Sequence, residues 1–280
     1  MLTTRQFLQA TGLVAAALLF SACGKKEEPP KPAAAPVAPA SAPAKVYVVG
    51  TDAAYAPFES QNEKGEIVGF TVDVLNAVAA KAGIELKFVN TPWEGIFNAL
   101  GQGDRDMLAS SITITDERKQ TMDFTDAYFD AVQLIAVKAN SKIAKFADLK
   151  KAKVGVQTGT TGDEAVTKLL GKTSTNIKRF ESTPLALKEL EAGGVDAVVA
   201  DNGVVINYVA NNPGGKFKTV SDKEFAPEQY GFAVKKGNAE LLGKLNQGIA
   251  AIKGDGSYDQ IYAKYFGARA AAAPASAASK

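Results

Sequence analysis

Residues 110–119 read Ser-Ser-Ile-Thr-Ile-Thr-Asp-Glu-Arg-Lys and combine the end of an extended run with the start of a helix. Residues 107–114 are apolar and rich in β-formers, and Thr115 followed by two acidic residues is the pattern of an N-cap. Arg118 then lies in the first helical turn, beside free backbone N–H groups and nearby hydroxyls, where a carboxylate could be held from two sides. On its own this pattern is more typical of a capped helix with a solvated arginine, so the rest of the chain must distinguish the two.

Extended runs and amphipathic helices alternate on both sides of this stretch. Before it and within it, strands are predicted at 46–51, 86–89 and 106–114, with helices at 71–82 and 93–100. A second unit repeats the alternation, with strands at 153–157, 177–180 and 195–200 and helices at 163–170, 184–192 and 204–211. Two more helices, at 240–253 and 258–266, close the folded part. This order predicts an α/β fold with mostly parallel sheets covered by helices.

Two further extended runs, 131–138 and 229–235, bracket the second unit. If both cross between lobes, the first lobe is discontinuous and the second is inserted into it. The predicted lobes are 46–133 plus 232–267 for the first and 134–231 for the second. Two crossing strands form a hinge, and a hinge beside a cleft suits the capture of a ligand by closure.

The chain ends carry different signals. An apolar run at 13–20 is too short to span a bilayer and is followed by small residues, so residues 1–22 are predicted to be an export signal. Leu-Phe-Ser-Ala-Cys at 19–23 resembles a bacterial lipobox, although Phe20 replaces the usual leucine, which predicts a lipid on Cys23 and a membrane anchor. A buried structural cysteine is the alternative. Residues 23–45 are predicted to be a disordered Pro/Ala-rich linker, and residues 268–280 a disordered Ala-rich tail.

Composition excludes several classes of function. The chain has no histidine, which rules out Ser-His-Asp, Cys-His and histidine–metal chemistry, and its single cysteine rules out a disulfide framework. Its basic residues are scattered and its net charge is only +2, so nucleic acid is not an expected partner. Neither a P-loop nor a dinucleotide fingerprint is present. We therefore expect a binding protein with no catalytic residue, cofactor or metal.

Polar and aromatic residues follow the carboxyl ends of the predicted strands, where open α/β sheets bind ligands. Phe58 and Thr160 are among the residues that follow these strand ends. The candidate ligand-binding residues are Asp52, Tyr55, Trp93, Ser110, Ser111, Thr113, Arg118, Gln157, Thr161 and Asp201. This mixture suits a zwitterion, because Arg118 with its helix start can take a carboxylate and Asp201 an ammonium. The alternatives are that Asp201 only caps the next helix and that Tyr55 and Trp93 are only core residues.

Several motifs in this chain resemble the family 3 solute-binding proteins of bacterial ABC importers. They are Thr-Asp-Ala-Ala-Tyr-Ala-Pro-Phe-Glu at 51–59, Val-Gly-Phe-Thr-Val-Asp-Val at 68–74, the stretch 110–118, Gly-Gly-Val-Asp-Ala at 193–197 and Gly-Ser-Tyr-Asp-Gln-Ile at 256–261. The resemblance covers residues 45–267 and implies a two-lobed periplasmic-binding-protein type II fold. It further implies a monomer in the periplasm or at the cell surface that closes on a polar amino acid and delivers it to an ABC permease in the inner membrane.

The resemblance also implies a role for each candidate residue. It implies that Arg118, Thr113 and Thr161 bind the α-carboxylate and that Asp201 and Ser111 bind the α-ammonium. It also implies that Tyr55 and Trp93 sandwich the ligand between aromatic rings and that Asp52 contacts the ligand side chain.

The ligand class follows from further detail of the resemblance. Gln157 and Ala200 stand where glutamine binders of this family carry lysine and histidine, while the loop 157–162 and the Ser110–Ser111 pair look more like receptors for arginine, lysine and histidine. A pocket with carboxylates and no spare arginine also favours a cationic side chain.

Two alternatives to a basic amino acid stay open. One is a receptor for glutamine or for polar amino acids in general. The other is an enzyme similar to cyclohexadienyl dehydratases, which would need a cleft acid, for which Glu59 and Glu94 are the candidates.

Overall fold

The computed structural model describes residues 45–268. The predictions of a signal peptide, a lipid on Cys23, a disordered linker and an Ala-rich tail lie outside these residues. Within them, none of the helices is both long and apolar enough to cross a membrane.

The described residues form fifteen strands and eight α-helices. The strands are β1 (Val46–Thr51), β2 (Ala54–Tyr55), β3 (Glu59–Gln61), β4 (Ile67–Val68), β5 (Glu85–Asn90), β6 (Met107–Leu108), β7 (Met122–Phe124), β8 (Phe129–Ala131), β9 (Gln133–Lys138), β10 (Val154–Gln157), β11 (Ile177–Phe180), β12 (Ala197–Asp201), β13 (Phe217–Val220), β14 (Glu228–Tyr230) and β15 (Ala233–Lys235). The helices are α1 (Phe70–Ala82), α2 (Trp93–Gln102), α3 (Asp116–Thr121), α4 (Thr161–Leu170), α5 (Thr183–Ala192), α6 (Asn202–Asn211), α7 (Ala239–Gly254) and α8 (Ser257–Phe266).

Two five-stranded sheets form the framework, in the orders β5-β1-β6-β15-β7 and β11-β10-β12-β9-β13. In each sheet one strand is antiparallel to both of its neighbours, namely β15 in the first sheet and β9 in the second. The remaining pairs are parallel. The prediction of an α/β fold with mostly parallel sheets is therefore confirmed. We call the part built on the first sheet lobe 1 and the part built on the second lobe 2.

The chain passes between the two sheets twice, through β8 into β9 and through β14 into β15. β8 and β14 pair antiparallel with each other and form a separate two-stranded ribbon. The extended runs predicted at 131–138 and 229–235 are thus each divided into two strands. We keep the predicted lobe boundaries, 46–133 plus 232–267 and 134–231, as a proposal that this double crossing supports.

Several predicted boundaries were wrong for local reasons. The strand predicted at 106–114 is regular only over Met107–Leu108, and the backbone of Ser111 then turns into the left-handed region with φ of 48°. The helix predicted from residue 163 begins at Thr161, because the Thr160 hydroxyl caps it by accepting from the backbone N–H of Asp163. Strands β2, β3, β4, β7 and β13 were not predicted, since strands of two to four residues have little periodicity.

The start of helix α6 in lobe 2 packs against an aromatic cluster in lobe 1. Phe58 is fully buried and packs edge-on against Phe129 and Tyr230, with ring centroids 4.8 and 5.4 Å away. Val204 joins this core, and Gly203 approaches so closely that a Cβ atom there would lie 2.5 Å from the Phe58 ring. This contact places Asp201, at the end of β12, beside the aromatic residues of lobe 1.

Candidate ligand-binding site

One cleft, partly open to solvent, is lined by all ten candidate residues and by Thr160. Phe58, which follows the same strand end as Asp52, is instead fully buried and does not line the cleft. Asp52 follows β1, while Gln157 and Asp201 are the last residues of β10 and β12. The carboxyl ends of the parallel strands thus bring these residues together, as the sequence predicted.

The Arg118 side chain is half-buried in this cleft and lies across both lobes. Its backbone N–H donates to the Thr115 hydroxyl at 3.2 Å, so the predicted N-cap is present. The guanidinium donates to the backbone carbonyls of Thr113, at 2.9 Å, and Gly159, at 3.4 Å. Burial lowers the pKa of Arg118 from its ordinary value.

Two aromatic rings support the Arg118 guanidinium. Trp93 and Phe97 each lie with their ring centroid 5.4 Å from the guanidinium carbon, within range of a cation–π contact. Among the ion pairs of residues 45–268 none involves Arg118. Its charge is therefore oriented but not neutralised by a carboxylate.

Asp201 is 7% exposed and is held by neutral donors. The hydroxyls of Tyr55 and Tyr230 each donate to it at 2.6 Å, and the amide of Gln133 donates as well. Burial raises the pKa of Asp201 to about 6. Although it stands at the start of α6, its side chain makes no capping hydrogen bond. The alternative that Asp201 is merely a helix cap is therefore wrong.

Asp52 is a second cleft carboxylate that has no cationic partner among the described residues. Its backbone N–H donates to the Ser110 hydroxyl at 2.9 Å, and its Oδ2 accepts from the Gln157 amide at 3.3 Å. Gln157 is fixed in turn, since its Oε1 accepts from the Thr183 hydroxyl at 3.0 Å. Burial raises the pKa of Asp52. The Gln157–Asp52 contact, like the Tyr55–Asp201 contact, joins the two lobes.

Neither Glu59 nor Glu94 lines the cleft. Glu94 is exposed on helix α2. Glu59 is fully buried, where its Oε2 accepts from the Ser111 hydroxyl at 3.1 Å and its Oε1 has no partner. Burial raises the pKa of Glu59 well above its ordinary value.

Glu59 should make the stability of the protein depend on pH. Because its pKa is raised in the folded state, the folded protein holds the carboxyl proton more tightly than the unfolded chain does. The contribution of Glu59 to the free energy of unfolding therefore falls as pH rises above about 4.3. Glu59→Gln keeps the shape of the side chain but cannot titrate. We expect its melting temperature, relative to wild type, to increase from pH 4 to pH 8 and to exceed wild type by about 2 °C or more at pH 8. Thermal unfolding by circular dichroism measures this, and an offset independent of pH would contradict it.

Three residues around the site were not predicted, and all lie on the strands that cross between lobes. Gln133 begins β9, whereas Glu228 and Tyr230 belong to β14. Besides its bond to Asp201, the Gln133 amide donates to Glu228 at 3.1 Å and to Thr161 at 3.2 Å. The available signal was Gln133 itself, a polar residue within the otherwise apolar run 131–137.

The charges around the cleft are complementary to a ligand with more positive than negative groups. The lining contains one arginine and two carboxylates, Asp52 and Asp201. Both carboxylates are hydrogen-bonded by neutral groups and form no ion pair within the described part of the chain. A buried carboxylate without a cation is costly, so a cationic group entering the cleft would be stabilised.

Comparisons with known proteins identify the family. The family of bacterial extracellular solute-binding proteins, family 3, matches residues 47–268. The chain is similar to a probable histidine-binding protein of Neisseria gonorrhoeae, with 47% identity over 92% of this chain and 94% of that protein. It is also similar to the L-arginine-binding protein of Pseudomonas aeruginosa, with 35% identity over 81% of this chain and 90% of that protein.

A solved structure shows the same fold. The arginine-, lysine-, histidine-binding protein of Geobacillus stearothermophilus superposes with a TM-score of 0.78 and 47% identity, over 81% of this chain and 97% of that one. Its similarity confirms the predicted periplasmic-binding-protein type II fold. The chain therefore belongs to the bacterial extracellular solute-binding proteins of family 3.

Proposed function

We propose that this protein captures a basic amino acid, namely arginine, lysine or histidine, by closing its two lobes and delivers it to an ABC permease in the inner membrane. The observation that carries the proposal is the presence of two carboxylates, Asp52 and Asp201, and one arginine in a single cleft. In this proposal the protein has no catalytic activity and works as a monomer in the periplasm or at the cell surface, held to the membrane by a lipid on Cys23.

The charges of such a ligand can be assigned to the charged groups of the cleft. The α-carboxylate pairs with Arg118, whose guanidinium is oriented by backbone carbonyls and aromatic rings. The α-ammonium pairs with Asp201, and the side-chain cation pairs with Asp52. One arginine and two carboxylates leave the cleft with one excess negative charge, which a basic amino acid neutralises. An acidic amino acid would bring a further buried negative charge.

Closure of the lobes is supported by polar contacts across the cleft. Tyr55 of lobe 1 donates to Asp201 of lobe 2, and Gln157 of lobe 2 donates to Asp52 of lobe 1. These contacts would separate if the lobes moved apart about the ribbon of β8 and β14. A ligand bound to Arg118, Asp52 and Asp201 would touch both lobes and so favour the closed form.

The relatives support binding rather than catalysis, since the three proteins compared above are all described as amino-acid-binding proteins. The acids considered for a dehydratase, Glu59 and Glu94, do not line the cleft. We therefore do not propose an enzymatic function.

A panel of amino acids tests the proposal by thermal unfolding. At a ligand concentration about 100 times the Kd, binding adds roughly 2.7 kcal/mol of stability, which is a shift of about 5 to 10 °C for a body of this size. We expect this shift with arginine, lysine or histidine and a smaller one with glutamine or glutamate.

In the Asp52→Asn variant, the preference for arginine over glutamine should fall about tenfold, because a charged hydrogen bond is lost.

The control for Asp52→Asn is Glu94→Gln, which removes an acidic charge from the exposed surface of α2 without touching the cleft. It should leave the ligand preference unchanged. A response to glutamine alone would contradict the proposed ligand class, and no response to any amino acid would contradict the proposed function.

A further inference from the structure

Glu228 lies behind two threonines that line the cleft. Its Oε2 accepts from the hydroxyl of Thr113 at 2.6 Å and from the hydroxyl of Thr161 at 2.8 Å. Its other oxygen, Oε1, accepts from the Gln133 amide at 3.1 Å. Glu228 itself is not part of the cleft lining but faces a separate groove, which the two threonines also border. The two hydroxyls therefore stand between the Glu228 carboxylate and the ligand space.

The chemistry of these groups decides which way the hydroxyl protons point. A hydroxyl has one proton and two lone pairs, whereas an ionised carboxylate has lone pairs only. Both Thr113 and Thr161 must therefore give their single proton to Glu228. One lone pair of the Thr161 oxygen already accepts from the Gln133 amide at 3.2 Å. What each hydroxyl oxygen can still offer to the cleft is a lone pair, which accepts a hydrogen bond but cannot donate one.

We propose that Glu228 is a positioning residue that makes the hydroxyls of Thr113 and Thr161 acceptors for the α-ammonium of the ligand. The inference rests on the proposed function and changes one part of the site suggested by family resemblance, which gives both threonines to the α-carboxylate. The α-carboxylate keeps the Arg118 guanidinium and the first backbone N–H groups of helix α4. The α-ammonium gains two neutral acceptors beside Asp201.

This arrangement depends on both lobes, because its three members come from different parts of the fold. Thr113 precedes helix α3 in lobe 1, Thr161 begins helix α4 in lobe 2, and Glu228 begins the crossing strand β14. The two hydroxyls can share one carboxylate oxygen only when the lobes are together. Glu228 therefore prepares the acceptors in the closed form, where the ligand is held.

The test uses two probes, L-arginine and 5-guanidinopentanoate, which is arginine without its α-amino group. Glu228→Gln keeps the shape but adds amide protons, so it no longer forces both hydroxyls to point away from the cleft. By calorimetry of the full chain we expect the affinity of this variant for arginine to fall about tenfold and its affinity for the deaminated probe to change less than about twofold. Glu224→Gln, an exposed site just before β14 in the sequence, is the matched control and should change neither.

A second variant tests the hydroxyl directly. Thr161→Val removes one acceptor and should also lower the affinity for arginine more than the affinity for the deaminated probe. The inference would be overturned if Glu228→Gln lost the same affinity for both probes, or if Thr161→Val lost affinity only for the deaminated probe. An unchanged affinity for arginine in both variants would overturn it as well. If instead the wild-type protein binds neither arginine nor any other amino acid, the proposed function itself fails.

Discussion

Arg118→Ala is expected to weaken the binding of every α-amino acid by about a hundredfold or more. The reason is that Arg118 is the one cation in the cleft lining of the described chain, so a bound α-carboxylate would lose its charged partner. Removing one member of a buried, hydrogen-bonded charge pair costs about 2 to 5 kcal/mol, which is roughly thirtyfold to several thousandfold in affinity. Calorimetry with arginine, lysine and histidine should show similar losses for all three ligands.

Two variants place limits on this prediction. Arg118→Lys keeps the charge but not the planar fork that reaches the carbonyls of Thr113 and Gly159, so an intermediate loss is expected. Arg105→Ala removes an arginine of lobe 1 that does not line the cleft and should bind as wild type does. A change in the preference among side chains, with the overall affinity retained, would mean that Arg118 contacts the ligand side chain instead.

Asp201→Asn is expected to have the second large effect, again about a hundredfold, because it removes the charge that faces the α-ammonium. An asparagine oxygen can still accept from the hydroxyls of Tyr55 and Tyr230. Its amide would face the Gln133 amide, so Gln133 has to turn its Oε1, which has no partner, toward it. Thermal unfolding without ligand provides the check on folding. The burial that raises the pKa of Asp201 makes its charge unfavourable at pH 7, so we expect the variant to be at least as stable as wild type there.

The pH dependence of binding gives an independent readout of Asp201. Its pKa of about 6 in the free protein should be lowered by a bound ammonium, so protons compete with the ligand below pH 6. The Kd of wild type for arginine should therefore rise as pH falls through 6, by up to about tenfold per pH unit. Asp201→Asn should lose most of this dependence. An equally steep pH dependence in the variant would show that another group is responsible.

Local residue patterns were enough to predict the α/β fold, the capped start of α3 and ten of the eleven residues that line the cleft. The physical reason is that the periods of strands and helices are visible in short windows of sequence. Parallel strands, moreover, bring their carboxyl ends to one edge, so Asp52, Gln157 and Asp201 could be grouped without knowing their distances.

Tertiary structure alone decided the direction and the partners of individual side chains. Glu59 and Glu94 are the same residue type near the same cleft, yet one is fully buried and the other exposed, since burial depends on distant segments such as the loop of Ser111. Glu228 meets Thr113 and Thr161, which are 115 and 67 residues away in the chain. No local period encodes such pairs, because they form only when the crossing strands bring the two lobes together, and with them the acceptors that surround Asp201.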